Sequence, residues 1–308
     1  KESDSVEILS GVFEGYTTGT PISLIVRNTD QRSHDYSKIK DCYRPGHADY
    51  TFDQKYGVRD YRGGGRTSGR ETIGRVAGGA IACRILEALG IHLTTYTKAI
   101  GPFSIPSDAY DYSAINENRL YMPNQKYAEQ ASAYLESCIR KQDSSGGLIE
   151  CMIHGMPSGI GEPVFNKLDA ALAKAVMSIG AVKGVEIGDG FSVVSSKGSK
   201  NNDSFFAENG QISKLTNHSG GILGGLSDGS TILLRAAIKP TPSISQPQKT
   251  VNTNGENIKI EISGRHDPVI VPRAVVVVES MAAVTLVDLL MQNMSSRIEY
   301  MKQVYLGI

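Results

Sequence analysis

The chain has 308 residues, of which 40% are hydrophobic and 21% charged, a balance that permits one large globular domain or two ordinary ones. Its 32 basic and 32 acidic side chains leave no formal net charge, which argues against a general nucleic-acid or anionic-membrane surface. The four cysteines are far apart and form no C-x-x-C pair, so we expect free buried thiols in a reducing cytosol rather than a zinc site or a disulfide framework. We also expect no signal peptide, and no transmembrane helix because no run of about 18 apolar residues occurs.

Strand and helix patterns are mixed along the chain without a regular rhythm. The predicted strands cover residues 6–15, 20–28, 91–100, 148–154, 185–194, 231–238, 258–262 and 275–278. The predicted helices cover residues 69–89, 125–141, 166–179 and 279–303. The polar segment 196–214 is typical of a mobile surface loop. Because no linker or strand–helix–strand repeat separates these elements, the pattern favours a single α+β domain over a doubly wound sheet.

The predicted helix over 69–89 contains three internal glycines, Gly74, Gly78 and Gly79. Each glycine costs roughly 1 kcal/mol of helix propensity relative to alanine. We therefore expect these positions to approach another backbone or a ligand closely.

The stretch 44–89 combines a glycine run with seven arginines and one histidine, His47. The arginines are Arg44, Arg59, Arg62, Arg66, Arg70, Arg75 and Arg84. Ser68 followed by Glu71 is a capping-box pattern, and a helix N-terminus close to arginines favours an anion. The same residues also fit a solvated face balanced by acidic side chains, with the glycines in plain turns. The pattern alone leaves a polyanion site beside His47 and a structural loop equally open.

Common catalytic signatures are missing from the sequence. There is no Walker P-loop, no H-E-x-x-H and no dinucleotide G-x-G-x-x-G, and the isolated histidines predict no metal site. Four polar segments remain, each with a cation, at residues 44–49, 66–70, 239–243 and 265–267. Two of them add a histidine near a carboxylate. This combination favours a phosphate-bearing, multiply anionic substrate beside an acid or base, although each segment alone also fits a structural loop.

Long motifs over nearly the whole chain resemble chorismate synthase. They are ILSGVFEG at 8–15, RPGHAD at 44–49, GGGRTSGRET at 63–72, GEPVF at 161–165, VKGVEIGDGF at 182–191, NHSGGILGG at 217–225 and GRHDP at 264–268. The resemblance implies a shikimate-pathway lyase that converts 5-enolpyruvylshikimate 3-phosphate to chorismate by 1,4-anti elimination of phosphate and a ring proton. It implies a requirement for reduced FMN without net redox change. It further implies a β-α-β sandwich and a cytoplasmic homotetramer whose partner is a small-molecule substrate, with no nucleic acid, membrane or metal.

The resemblance also assigns roles by position. His47 matches a histidine that protonates the reduced flavin, and Asp267 matches a carboxylate near flavin N5 that helps relay the ring proton. The implied substrate contacts are Arg44, Ser68, Arg70, Arg265 and Asp267. The implied flavin contacts are Arg66, Thr67, Ser68, Gly180, Ala181, Gly224, Lys239, Pro240, Thr241, Pro242, Ser243 and Arg265.

Some positions depart from the family pattern. Thr67, Gly69 and Gly180 replace a common Ser, Ala and Asn, and Pro242 replaces a Ser and so removes a hydroxyl or N–H contact to the cofactor. The family's Gly-Glu-Ser-His-Gly motif, with the second catalytic histidine, normally precedes the equivalent of Lys1. We expect residues 1–308 to form a single domain of this family without that N-terminal segment, which we take to be disordered upstream.

Two other functions stay open at this point. The first is an additional NADPH-dependent flavin reductase activity, found in some family members, although the sequence has no nicotinamide fingerprint. The second is a phosphate- or flavin-binding oligomer that has lost catalysis with the N-terminal segment.

Overall fold

A computed structural model describes residues 5–28, 40–61, 69–262 and 267–307 of the chain. The chain divides into two compact units. The first comprises Lys1–Ala77 and Pro242–His266, and the second comprises Gly78–Thr241 and Asp267–Ile308. The expectation of one family domain stays a prediction.

The strands, in chain order, are β1 Val6–Ser10, β2 Val12–Phe13, β3 Tyr16–Thr17, β4 Ser23–Val26, β5 His92–Ile100, β6 Phe103–Ser104, β7 Gly147–His154, β8 Val182–Ile187, β9 Phe205–Glu208, β10 Gln211–Lys214, β11 Ile222–Leu223, β12 Leu226–Ser227, β13 Ile232–Ile238, β14 Gln248–Val251 and β15 Asn257–Ile260. The α-helices are α1 Asp49–Tyr56, α2 Thr72–Ala88, α3 Gln125–Arg140, α4 Leu168–Met177, α5 Gly198–Asn201, α6 Val271–Asn293 and α7 Ile298–Leu306. Short 3₁₀ segments lie at Gly69–Glu71, Ser107–Ala109, Tyr112–Glu117 and Gly190–Ser195.

The second unit is built on a five-stranded sheet with the order β6-β5-β7-β13-β8. All neighbouring strands in it are antiparallel. Burial alternates along β13, where Ile232, Leu234, Ala236 and Ile238 are fully buried and the residues between them are half-buried. One face of the sheet therefore packs on a core, as the period-2 sequence pattern requires. The mixture of this sheet with long helices confirms the α+β class.

Helix α6 packs across β5 and β7 and against α4. The predicted strand over 275–278 is wrong, because Val275, Val277 and Val278 lie buried inside this helix. Their β-branched side chains fit a helix that is covered by a sheet on one side and a helix on another, so packing overrides local propensity. The predicted helix over 279–303 begins earlier, at Val271, and is interrupted before α7.

By length and composition, α6 could cross a membrane, and it is the one helix with that property in the part of the chain that the structure describes. However, 56% of its most apolar stretch is buried within the protein. Core helices of globular proteins have this character.

Two further sequence predictions need correction in the second unit. The strand predicted over 185–194 ends at Ile187, because Gly188 and Gly190 turn the chain with φ values of +59° and +55°. The segment 196–214, predicted as a loop, contains helix α5 and the hairpin β9–β10.

The glycines of α2 differ in their surroundings. A Cβ built on Gly79 would lie 2.2 Å from Cβ of Ser280, so this glycine lets α2 and α6 approach closely. The prediction of close contact is confirmed there. Cβ atoms built on Gly74 and Gly78 would meet no described atom within 4 Å, so no described backbone lies close to them and the approach of a ligand there stays a prediction.

The described part of the first unit contains three antiparallel strand pairs and α1. Strands β1 and β4 pair, as do β2 with β3 and β14 with β15. The β14–β15 hairpin also fixes the preceding loop, since Cys42 bridges to Asn252 and the Tyr43 amide donates to the Val251 carbonyl at 3.1 Å. These contacts fix the backbone of residues 42–44, which precede α1 in the chain.

Candidate active site

A tight turn presents His47. Pro45 and Gly46 occupy its two central positions, Gly46 has φ +70°, and the His47 amide donates to the Arg44 carbonyl at 3.2 Å. Proline at the first central position and a left-handed glycine at the second are what a type II turn requires. The sequence Arg-Pro-Gly-His thus folds the Arg44 and His47 side chains toward the same end of α1.

Asp49, the first residue of α1, is the centre of the resulting cluster, and its side chain is only 3% exposed. Arg44 donates from Nε to Oδ2 at 2.7 Å and from Nη2 to Oδ1 at 2.8 Å. Arg59 Nη1 lies 2.9 Å from Oδ1, and His47 Nδ1 lies 3.0 Å from the same oxygen. Two guanidinium groups and one imidazole therefore share a single carboxylate.

The ionisation of Asp49 follows from these contacts. Burial by itself would raise the pKa of the carboxyl, but hydrogen bonds from Arg44 and His47 outweigh it and hold the pKa well below its usual range. Asp49 is therefore an anion at neutral pH. Asp53 Oδ2 also lies 3.7 Å from Arg59 Nε, so two carboxylates balance the two guanidinium charges. The guanidinium N–H donors still suit an anionic ligand.

Arg59 also has contacts outside the Asp49 cluster. Its Nη2 donates to the Lys40 carbonyl at 2.8 Å, and its guanidinium lies 5.8 Å from the centre of the Tyr43 ring. The sequence pattern included Arg59 among the arginines but assigned no role to it or to Asp49. Their convergence depends on the return of the chain after α1, which no local motif specifies.

The predicted flavin positions of the second unit include a contact between two segments. The Lys239 amide, just after β13, donates to the Ala181 carbonyl, just before β8, at 3.0 Å. Ala181 has φ +73°, a left-handed conformation that is uncommon for a residue with a Cβ and concentrates at functional sites. Neighbouring Gly180 has open space where a Cβ would stand. The structure thus brings together Ala181 and Lys239, which the resemblance assigned to one ligand.

The Lys239–Thr241 segment contains further polar groups. Partial burial, together with the charge of nearby Lys183, lowers the pKa of Lys239. The Thr241 hydroxyl oxygen is buried and has no hydrogen-bond partner among the described residues. Gly146 lets Pro240 approach, since a Cβ there would lie 3.2 Å from its ring. An anion with hydrogen-bonding oxygens would satisfy the Thr241 hydroxyl group.

Gly224 and Gly225 form the two-residue turn between β11 and β12. Both have positive φ, +61° and +86°, as the turn of a tight hairpin of this kind requires. A Cβ on Gly224 would meet no described atom within 4 Å, so its backbone is open to an approaching group.

The remaining predicted site residues are more scattered. Asp267 lies just before α6, where its Oδ2 is 2.8 Å from Nη1 of Arg273. Arg70 lies on the exposed 3₁₀ turn that precedes α2. Pro242 and Ser243 are half-buried and belong to the first unit. Arg66, Thr67, Ser68 and Arg265 lie outside the described residues.

A second buried carboxylate, Glu150, was not predicted from the sequence. It lies in the middle of a row of side chains that runs across the sheet, in register with Tyr96 on β5 and Arg235 on β13. The Tyr96 hydroxyl donates to Oε1 at 2.5 Å, and Arg235 Nε donates to Oε2 at 2.6 Å. Burial would raise the pKa of Glu150, but these two bonds and the Lys98 charge lower it.

Known proteins are similar to this chain in sequence and in fold. A family model described as chorismate synthase matches residues 1–291. The chorismate synthase of Lachnoclostridium phytofermentans is 64% identical over 99% of this chain and 83% of that protein, and that of Agathobacter rectalis is 60% identical with the same coverage. A crystal structure of chorismate synthase superimposes with a TM-score of 0.76 at 30% identity, over 97% of this chain and 82% of that one. The chain therefore belongs to the chorismate synthase family, and it is a lyase of the shikimate pathway.

Proposed function

We propose that the protein converts 5-enolpyruvylshikimate 3-phosphate to chorismate and phosphate by a 1,4-anti elimination that requires reduced FMN. Family membership gives the reaction class. The observation that carries the finer proposal is the cluster of Arg44, Arg59 and His47 around Asp49. Such a cluster suits a substrate with two carboxylates and a phosphate, because several cations are needed to offset the desolvation of these anions.

Within this cluster we assign separate roles to the side chains. Asp49 is a positioning residue that holds the Arg44 guanidinium and the His47 ring by direct contacts. Arg44 binds an anionic group of the substrate, aided by Arg70 from its turn before α2. His47 exchanges a proton through Nε2, since Nδ1 faces Asp49 and Arg44.

The residues of the second unit fit FMN on three observations. Ala181 is held in a strained conformation, Gly180 and Gly224 leave their backbones open, and the buried Thr241 hydroxyl has no partner among the described residues. We propose that these residues and Lys239 contact the cofactor. The flavin contacts that the resemblance implies in the first unit, at Arg66, Thr67, Ser68, Pro242, Ser243 and Arg265, stay predictions. When bound, reduced FMN supplies electron density to the substrate as phosphate leaves.

Asp267 is proposed to help relay the ring proton that leaves the substrate. Its carboxylate is 40% exposed and contacts Arg273, whose side chain is 76% exposed. A carboxylate paired at the protein surface can exchange protons with solvent. Arg273 lies in the first turns of α6, so the buried helix fixes the position of this pair.

The test is an anaerobic assay of the full chain with chemically reduced FMN and substrate. Release of inorganic phosphate and the appearance of the product diene absorbance are followed together. We expect turnover with reduced FMN and none with oxidised FMN or without flavin. Absence of phosphate release from folded protein under all three conditions would overturn the proposal.

We also propose a cytoplasmic homotetramer, as the family resemblance implies. Light scattering on purified protein is expected to give a mass four times that of one chain. A single monomeric species across the working concentration range would contradict this assembly.

A further inference from the structure

We propose that Glu150 and Arg235 are positioning residues, which fix the glycine turn Gly224–Gly225 by holding the backbone of Gly188. This inference rests on the proposed function in one respect, because Gly224 is assigned to the flavin. The anchor itself is independent of that assignment and lies entirely within the second unit.

The first link is the row of side chains across the sheet. Glu150 accepts hydrogen bonds from Tyr96 and Arg235, and Lys98 Nζ lies 3.6 Å from its Oε2. The Tyr110 hydroxyl reaches Oε1 at 3.0 Å. Both carboxylate oxygens are therefore occupied, and the side chain is only 3% exposed. This arrangement leaves the Arg235 guanidinium a single orientation, with its outer nitrogens pointing beyond the carboxylate.

The second link runs from Arg235 to the turn after β8. Its Nη1 donates to the Gly188 carbonyl at 2.8 Å and lies 3.5 Å from the Glu186 carboxylate. Glu186 in turn accepts the Phe191 amide at 3.1 Å. Arg235 therefore fixes both ends of the turn that begins at Gly188.

The third link is a backbone contact between Gly188 and Gly220. A Cβ on Gly188 would lie 2.2 Å from the His218 carbonyl oxygen, and a Cβ on Gly220 would lie 2.3 Å from the Gly188 nitrogen. The Asp189 amide donates to the His218 carbonyl at 2.9 Å, and its carboxylate lies 2.7 Å from His218 Nδ1. The two turns are thus in direct contact and cannot shift separately.

Strand β11 connects Gly220 to Gly224 along the chain. The other arm of that hairpin is held independently, since Leu168 donates to the Gly225 carbonyl at 2.8 Å and Ser227 bonds to the Ile160 amide at 2.9 Å. The β11 arm has backbone bonds of its own, from the Leu233 amide to the Gly220 carbonyl at 3.2 Å and from the Asp228 amide to the Gly221 carbonyl at 3.0 Å. Loss of the Arg235 contact would therefore loosen this arm without detaching it, while the other arm stays fixed. The consequence is a local change in backbone mobility at residues 217–225.

The test compares Arg235→Lys and Arg235→Met with the matched control Arg84→Met, which removes an exposed pair with Glu87. Lysine keeps the positive charge beside Glu150 but lacks the second nitrogen that donates to the Gly188 carbonyl. Amide hydrogen exchange is measured without flavin, and the dissociation constant of FMN is measured by flavin fluorescence. Thermal unfolding shows whether each variant folds.

For Arg235→Lys we expect near-normal thermal unfolding, about tenfold faster exchange confined to 217–225, and about tenfold weaker FMN binding. Unchanged exchange in that segment would overturn the anchor. Faster exchange with unchanged FMN affinity would overturn the positioning role. Wild-type protein that binds no FMN would contradict the proposed function instead, while the flavin-free exchange measurement still decides on the anchor.

Discussion

His47 Nδ1 lies 3.0 Å from Oδ1 of Asp49, a carboxylate that burial and two guanidinium groups keep fixed. Arg44 Nη2 also lies 3.0 Å from the same ring nitrogen. The carboxylate favours a proton on Nδ1, whereas the guanidinium, which can only donate, opposes it. Nδ1 of His47 is therefore engaged by two neighbours, which leaves Nε2 as the ring nitrogen that can meet a ligand.

Replacement of His47 is expected to remove activity and preserve the fold. The His47→Ala variant should lose about 10²- to 10⁴-fold in turnover, the usual contribution of a positioned acid or base. The anaerobic phosphate-release assay and a thermal unfolding scan measure the two effects. His92→Ala, which changes an exposed histidine on β5, is the control and should behave as wild type. Near-normal turnover in His47→Ala would reject the assigned role.

Asp49 should make the protein sensitive to acid. Its pKa is lowered in the folded state, so its contribution to stability is present above the ordinary value of 3.8 and is lost as the pH falls through the lowered value. Asp49→Asn should cost on the order of 3 kcal/mol at neutral pH, because the buried Arg44 guanidinium loses its counter-charge and Arg59 keeps only Asp53. Urea unfolding between pH 3 and pH 7 measures this, and equal stability of both proteins at pH 7 would contradict it.

Glu279 on α6 should give the opposite pH dependence of stability. Burial raises its pKa, and a hydrogen bond from Thr95 offsets this only in part. Its contribution to stability is therefore full below the ordinary value of 4.5 and is lost as the pH rises through the raised value. Glu279→Gln should gain stability relative to wild type between pH 5 and pH 8, as measured by urea unfolding. The exposed Glu136→Gln is the control, and parallel pH profiles for all three proteins would refute the prediction.

The adjacent glycines of α2 offer a matched pair of variants. Gly79→Ala should destabilise by about 1–3 kcal/mol, because its Cβ would overlap Ser280 and force α2 and α6 apart. Gly78→Ala should instead stabilise by up to about 1 kcal/mol, since alanine is the better helix former and the added methyl meets no described atom. Thermal and urea unfolding measure both, and the same sign of change in the two variants would contradict the packing argument.

Replacement of Ala181 should change stability and flavin binding in opposite directions. Ala181→Gly is expected to stabilise the protein by about 1 kcal/mol, because glycine adopts the left-handed conformation without the Cβ penalty. Ala171→Gly in α4 is the control and should destabilise by a similar amount. We expect weaker FMN binding in Ala181→Gly, since the unbound segment gains conformational freedom. Unchanged stability would show that the position carries no strain.

The parts of this protein that local patterns could predict are those that local contacts determine. The Arg-Pro-Gly-His turn brings Arg44 and His47 together within four residues, and helices such as α3 follow from apolar periodicity. Glu150 and Arg235, by contrast, are 85 residues apart and meet only through strand register. Likewise, the sequence of Val275–Val278 predicts a strand, because the sheet that covers these residues is not visible in the local pattern. Local patterns do not contain the non-local strand pairing and burial that determine both features.

The alternation along β13 has a consequence for how this sequence can change in length. Successive residues of the strand face opposite sides, so Arg235 lies between the buried Leu234 and Ala236. A single inserted or deleted residue inside β13 would turn the guanidinium toward the core face of the sheet and move its apolar neighbours to the other face. We therefore expect homologous chains to accept length variation in the surface connections and to keep the residue count of this strand constant.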